Sequence, residues 1–172
     1  MELYLERGFE QTTVAEIARR AGLTERTFFR YFADKREVLF WGAGALQELI
    51  VRTLADAPES AAPIEAVAAA IEAAAAMIQE GGDRAGQRQT VIAANPELQE
   101  RELIKLASLA SAMAGALRLR GVKDPAASLT AEAGIAVFKI AFERWVSKAS
   151  EPDFPSCIRE SLEELRAVTA GL

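Results

Sequence analysis

Apolar positions recur at helical spacing along the whole chain. Val14, Ile17, Ala18 and Ala21 fall at i, i+3, i+4 and i+7, the stripe that one helix face buries. Thr13, with Glu16 three residues on, predicts a capping box at the start of that helix, and Gly22 predicts its stop. Thr24 caps a second short helix over residues 25–32. Asp34 caps a long third one over 35–54, striped by Leu39, Leu46, Leu49, Ile50 and Leu54. Prolines make 56–63 a loop. An alanine-rich helix over 64–80 ends at Gly81-Gly82, and a shorter one covers 84–94. Asn95-Pro96-Glu97 and Asp124-Pro125 each start a longer helix, over about 96–120 and 125–148. Pro152 and Pro155 break the chain before a last helix over 156–170, and residues 1–8 supply a short first one. No alternating strand pattern, hairpin dipeptide or internal repeat interrupts this. The expected fold is all-α with about nine helices: a three-helix head over 1–40 and a helical body over 41–172.

Composition narrows the chemistry. The chain of 172 residues is half apolar, enough to bury a core without staples. It has no histidine and one cysteine, Cys157. Triads with histidine, His-ligated metals and internal disulfides are therefore excluded. The scattered acids form no pattern for a helical-bundle enzyme, and no glycine-rich phosphate loop is present. Neither a metal nor a cofactor is expected. Cys157 reads as an inert thiol near a helix start. The first residues lack a basic segment followed by a long apolar one, and the run 66–76 is too short and too polar to span a membrane. A cytoplasmic protein without membrane contact is expected.

The net charge of −5 hides a local excess: residues 13–36 hold six Lys/Arg against three acids. Two short helices across a glycine turn have the spacing of a helix-turn-helix. Ala18 allows close approach four residues before Gly22, and Leu23, Phe28 and Phe32 hold the second helix. Arg26, Thr27 and Arg30 then face outward, where an arginine fork can meet guanine O6 and N7. Thr13, Thr24, Tyr31 and Lys35 sit at helix ends, suited to phosphate. By spacing alone, the same residues also describe an ordinary charged helical hairpin with Phe28, Phe29 and Phe32 as core.

The run TTVAEIARRAGLTERTFFRYFADKREVLF, residues 12–40, closely resembles the DNA-binding head of TetR-family transcriptional repressors. The matching positions are Thr13, Ile17, Ala18, Ala21, Gly22, Thr24, Thr27, Phe28-Phe29, Phe32 and Lys35. The resemblance implies a homodimer that binds a double-stranded, palindromic operator and is released by a small effector. The DNA-binding set it implies is Thr13, Thr24, Arg26, Thr27, Arg30, Tyr31 and Lys35. It further implies a dimer interface on the last two long helices, with Ala131, Ala133, Gly134 and Ala136 allowing close approach beside Val137 and Ile140, and with Ile158, Leu162 and Leu165. An effector cavity in the body has candidate lining residues Trp41, Leu46, Met77, Ile78, Gln87, Met113, Leu117, Phe138, Phe142 and Trp145, each equally readable as core. These suit an apolar or amphipathic ligand. Arg84 and Arg88 could meet an anionic one or be solvated. From Asn95 to Trp145 the body is similar to the effector domain of mycofactocin-type regulators, whose ligands include acyl-CoA.

Two features depart from the family pattern. Relatives carry about ten to fifteen residues before the point where this sequence begins, so the first helix is short and holds Glu2 and Glu6 beside one Arg7. Phe29 stands where many relatives have tyrosine. The alternative expectation is therefore a ligand-binding dimer whose DNA binding is impaired.

Overall fold

A computed structural model describes residues 1–147 and 153–171. Among them are nine α-helices, a 3-10 helix and no strand. The order is α1 (Glu2–Arg7), α2 (Val14–Arg20), α3 (Glu25–Tyr31), the 3-10 helix (Lys35–Phe40), α4 (Ala43–Asp56), α5 (Pro63–Glu80), α6 (Arg84–Ala93), α7 (Pro96–Leu119), α8 (Ala126–Ser147) and α9 (Phe154–Ala170). The all-α expectation holds. The predicted helix end at Lys148 and the break at Pro152 lie outside the described residues.

Local signals set most boundaries. Thr13 accepts from the Glu16 amide while the Glu16 carboxylate accepts from the Thr13 amide, the predicted capping box. Gly22, at φ +68°, closes α2: the Leu23 amide bonds the Ala18 carbonyl and the Gly22 amide bonds that of Arg19. The helix that Asn95-Pro96-Glu97 predicts does start at Pro96, but the Asn95 side-chain amide, expected to cap it, donates back to the Val91 carbonyl at 2.6 Å.

The expected single helix over 35–54 is a correction. It divides into the 3-10 helix, a turn at Trp41-Gly42, and α4. Asp34 accepts from the Arg36 and Glu37 amides, tightening the first turn. The Leu39 carbonyl accepts from Arg88 Nε at 2.8 Å, so a side chain far along the chain takes an acceptor that an α-helix would use itself. Glycines at 42 and 44 further weaken a continuous helix. By length and composition Lys35–Asp56 could cross a membrane; it is this broken segment, and its Ile50 and Leu54 are wholly buried.

The chain forms two compact units. The first comprises Met1–Ala43 and Asp83–Leu103, the second Gly44–Gly82 and Ile104–Leu172. The sequence reading divides the chain at residue 40; by packing, α6 and the first turns of α7 join the head. There Tyr4, Phe9, Leu39, Phe40, Val91, Ile92 and Leu98 form one apolar cluster. Arg88 reinforces it, lying 4.9 Å over the Phe40 ring and pairing with Glu102 at 2.9 Å.

In the second unit α5, α8 and α9 pack on one another. Of the small residues predicted to serve a subunit interface, Ala131 and Gly134 are buried inside the chain, while Ala136 is exposed. A Cβ on Gly134 would lie 2.4 Å from Val67 Cγ1, so α8 meets α5 too closely for any side chain at 134. Val137, Ile158 and Leu162, expected on a dimer face, are buried in this core, and Leu165 packs at its edge. The helical stripe marks them as apolar, and neighbouring helices of the same chain cover them. Ala133 is half-buried, while Ile140, Leu129 and Val168 are exposed. Cys157 is a wholly buried thiol.

Candidate nucleic-acid interface

The site is built from α2 and α3, which pack on each other across the Gly22 turn. Phe28 is the anchor: it is 2% exposed, beside Ala18 at 1%. It meets Phe32 at 5.1 Å and Phe29 edge-on at 5.4 Å. Leu23, expected to help hold the helix, is instead 44% exposed. Burial of Phe28 fixes the rotation of α3 and so decides what points outward.

Arg26, Arg30, Tyr31 and Phe29 are exposed, and Thr27 is half-buried. Among the described residues, Arg26 and Arg30 form no ion pair. Arg30 lies 5.0 Å over the Tyr31 ring and donates to its hydroxyl at 3.2 Å. Thr24 caps α3 by accepting from the Thr27 amide, and the two hydroxyls lie 3.0 Å apart. Three other arginines of the head are paired with carboxylates at the surface: Arg7 with Glu16, Arg20 with Glu2 and Glu6, Arg36 with Asp34. The positive excess read along the sequence thus narrows, in space, to Arg26 and Arg30 on the outer face of α3 and to Arg19, exposed at the end of α2.

Hydrogen bonds hold two acids of the head below the usual carboxylate range. Glu16 is lowered by the Thr13 amide and hydroxyl, and Asp34 chiefly by the Arg36 guanidinium. Burial pushes the Tyr4 phenol up, with the Asp34 charge adding to it. Its hydroxyl donates to the Lys35 carbonyl at 2.6 Å.

Lys35 sits differently from its neighbours in the predicted set. Its ammonium donates to the carbonyls of Phe9 at 2.8 Å, Glu10 at 3.2 Å and Thr12 at 3.1 Å. No feature of helical spacing signals this, because the acceptors lie more than twenty residues upstream.

The residues expected to line an effector cavity do not gather in one place. Met113 and Leu117 are fully buried in the close-packed second unit, with Leu46, Phe138 and Phe142 in or against the same core. Trp145 stacks on Phe154 at 4.9 Å, and Phe138 and Phe142 also meet that ring. Met77 and Ile78 are half-buried. Trp41 belongs to the first unit, 66% exposed and against Phe32. Gln87, also in that unit, lines a cleft of about 400 Å³ with Leu3, Tyr4, Ile17, Val38 and Arg84. A smaller cleft of about 130 Å³ in the second unit is lined by Ala110, Ser111, Ala114, Arg118, Ser128 and Glu132, none of them in the expected set. Among the described residues no cluster of His, Cys, Asp or Glu could hold a metal ion.

A capped helix pair with an arginine-bearing outer face, joined to a larger helical unit, defines the class of helix-turn-helix regulators. Comparison with known proteins supplies the family. Residues 1–40 match the model for bacterial regulatory proteins of the tetR family, and residues 61–170 match that for the MftR C-terminal domain. The chain belongs to the TetR family of bacterial regulatory proteins, with an MftR-type C-terminal domain, and so stands among regulators rather than enzymes. It is 36% identical over 81 residues to the HTH-type transcriptional regulator TcmR of Streptomyces glaucescens, covering 47% of this chain and 36% of TcmR. It is 34% identical over 100 residues to a protein named as the mycofactocin biosynthesis transcriptional regulator MftR of Mycobacterium tuberculosis, covering 58% and 50%. The matches thus span half or less of these curated relatives. Among solved structures, Thermus thermophilus FadR, a TetR-family repressor in complex with lauroyl-CoA, aligns with TM-score 0.53 and 26% identity over 95% of this chain and 87% of its own. PfmR, also from Thermus thermophilus, with TM-score 0.50, 21% identity and coverage of 92% and 90%, shares the fold.

Proposed function

We propose that this chain is a ligand-responsive, sequence-specific transcriptional repressor that acts as a homodimer on a palindromic operator. One observation carries the reading: Phe28 locks α3 so that Arg26 and Arg30 face outward beside the half-buried Thr27, with both arginines free of carboxylate partners among the described residues. Their forks suit guanine edges and phosphate, while Thr13, Thr24 and Tyr31 flank them for backbone contacts. Two such heads would enter successive major grooves about 34–36 Å apart. Ile140 with Ala133 on α8, and the exposed end of α9, are the apolar surface such a dimer would use. The protein would act in the cytoplasm, where its operator is.

The effector is an apolar or amphipathic molecule of acyl-CoA type, taken by the second unit. The lauroyl-CoA complex of FadR supports this class. The aromatic group of Phe138, Phe142, Trp145 and Phe154 is the candidate acyl-chain site; its rings pack on one another in or against the core, so an acyl chain would have to part them. Such a ligand relieves repression only as far as it binds the released conformation more tightly. The alternative, a dimer with impaired DNA binding, finds less support: the short α1 is well anchored, with Leu3, Tyr4 and the following Phe9 all buried.

Selection of duplexes from a random pool, followed by salt titration and light scattering, tests the proposal. Enrichment of an inverted repeat, bound by two chains and released by lauroyl-CoA, is the expected result. Absence of any enriched sequence would remove the operator reading. A shift in melting with lauroyl-CoA but no DNA binding would favour the alternative.

A further inference from the structure

We propose that Lys35 is a positioning residue: it clamps the backbone between α1 and α2 and does not itself contact DNA phosphate. The consequence for DNA rests on the binding function proposed above; the clamp does not. An ammonium has three N–H donors. Those of Lys35 are directed at the carbonyls of Phe9, Glu10 and Thr12, and a phosphate could be reached only by giving one up. The ammonium also lies 4.3 Å from the ring centre of Phe9, itself 2% exposed. The backbone of the same residue is gripped in turn, since Tyr4 Oη donates to the Lys35 carbonyl. Residue 35 therefore ties the entry of the 3-10 helix both to α1 and to the segment after it.

That segment is held from its other side by Thr12. Its side chain is wholly buried, and its hydroxyl contacts the carbonyls of Gly8 at 2.8 Å and Leu3 at 3.2 Å. Thr13 follows directly and caps α2, and α3 packs on α2. The position of the clamped segment is thus passed to the pair of helices bearing Arg26 and Arg30. Lys35 contributes a charge to the sequence count of the head but spends it on carbonyl oxygens of its own chain.

Lys35→Met and Lys35→Arg, compared with wild type on a duplex selected from random sequences, test the assignment. Binding is titrated against NaCl at a temperature where circular dichroism shows each variant folded. Both variants should bind about tenfold more weakly, with the slope of log K on log salt unchanged. Arginine should not rescue, because its planar fork cannot converge on three carbonyls as an ammonium does. A slope reduced by about 0.9 per head, with binding restored by Lys35→Arg, would show a phosphate contact and overturn the proposal. Wild-type affinity in folded Lys35→Met would do the same by leaving the lysine a merely structural role. Two DNA-free measurements complete the test. Amide exchange over residues 9–17 should quicken about tenfold in the variants while α5 is unchanged; unaltered exchange overturns the clamp. In wild type, should Lys35→Met not fold, the Lys35 ammonium should give a slowly exchanging 15N-coupled signal, and a rapidly exchanging one counts against it. If wild type binds no duplex, the operator reading falls, and exchange alone decides whether Lys35 holds the loop.

Discussion

In the first unit, side chains reach backbone carbonyls across long stretches of sequence: Tyr4 to residue 35, Lys35 to residues 9, 10 and 12, Arg88 to residue 39. In the second, small residues let helices meet. Ala66, Ala70, Ala74 and Ala75 of α5 are buried to 1% or less, and Gly134 of α8 has no room for a Cβ. Such long-range carbonyl ties occur there at an edge, where Arg120 donates to the carbonyls of Leu54, Ala57 and Pro58. Size explains the contrast. The head must leave one face of α3 uncovered, so it has fewer apolar positions to bury, and a small unit buries a smaller share of its surface. Side-chain bonds to carbonyls place its elements with little area. The body covers its helices on several sides and relies on close packing.

The sharpest way to break this comparison is to remove the head's anchor. Phe28→Ala should cost about 3–5 kcal/mol. Amide exchange should show α2 and α3 losing protection while α5 and α8 keep theirs; uniform loss would mean the two units are held as one. Next is Gly134→Ala, which forces a methyl against Val67 and should cost about 1–3 kcal/mol. Thermal melting should fall, with exchange quickening in α5 and α8 ahead of the head. Paired with Val67→Ala, which opens that space, the substitution should be partly rescued.

Acid acts more gently and on both units, since hydrogen bonds also lower Asp124 and Asp153 of the second, through Arg118 and Ser156 respectively. Glu16 and Asp34 are held ionised below their ordinary values of 4.5 and 3.8. The unfolded chain therefore takes up protons first as pH falls. Their contribution is complete above about pH 5 and is lost as pH drops through the lowered folded values. Urea midpoints measured from pH 7 down to pH 3 should decline less steeply in Glu16→Gln and Asp34→Asn. The smallest stability effect is expected at the binding face: Arg26→Ala and Arg30→Ala should leave stability within about 0.5 kcal/mol. Each should weaken binding to a selected duplex and relax preference at single base positions.

Much of the architecture was legible because its causes are local. Thr13 with Glu16, Thr24 and Gly22 act within five residues, so the helix pair and its turn follow from spacing, while the outward placing of Arg26 and Arg30 rests on the burial of Phe28. Elsewhere the cause lies in a distant segment. A helical stripe marks Val137, Ile158 and Leu162 as apolar, but whether a second subunit or the same chain covers them depends on where α5 lies. The division of 35–54 into two helices involves the distant Arg88 as well as the local Asp34, Gly42 and Gly44, and the grouping of α6 with the head depends on Val91 and Ile92 joining Tyr4 and Phe9 in one cluster. The effector residues were the least legible, since a pocket wall and a core have the same composition.

The sequence by itself determined the helices, their caps and the recognition motif, because hydrogen bonds between near neighbours and the period of the apolar pattern act before any tertiary contact forms. Only the tertiary structure decided which charges remain available. Lys35, Arg20 and Arg36 are engaged by partners inside the head, and Arg26 and Arg30 face outward, because pairing depends on distance in space.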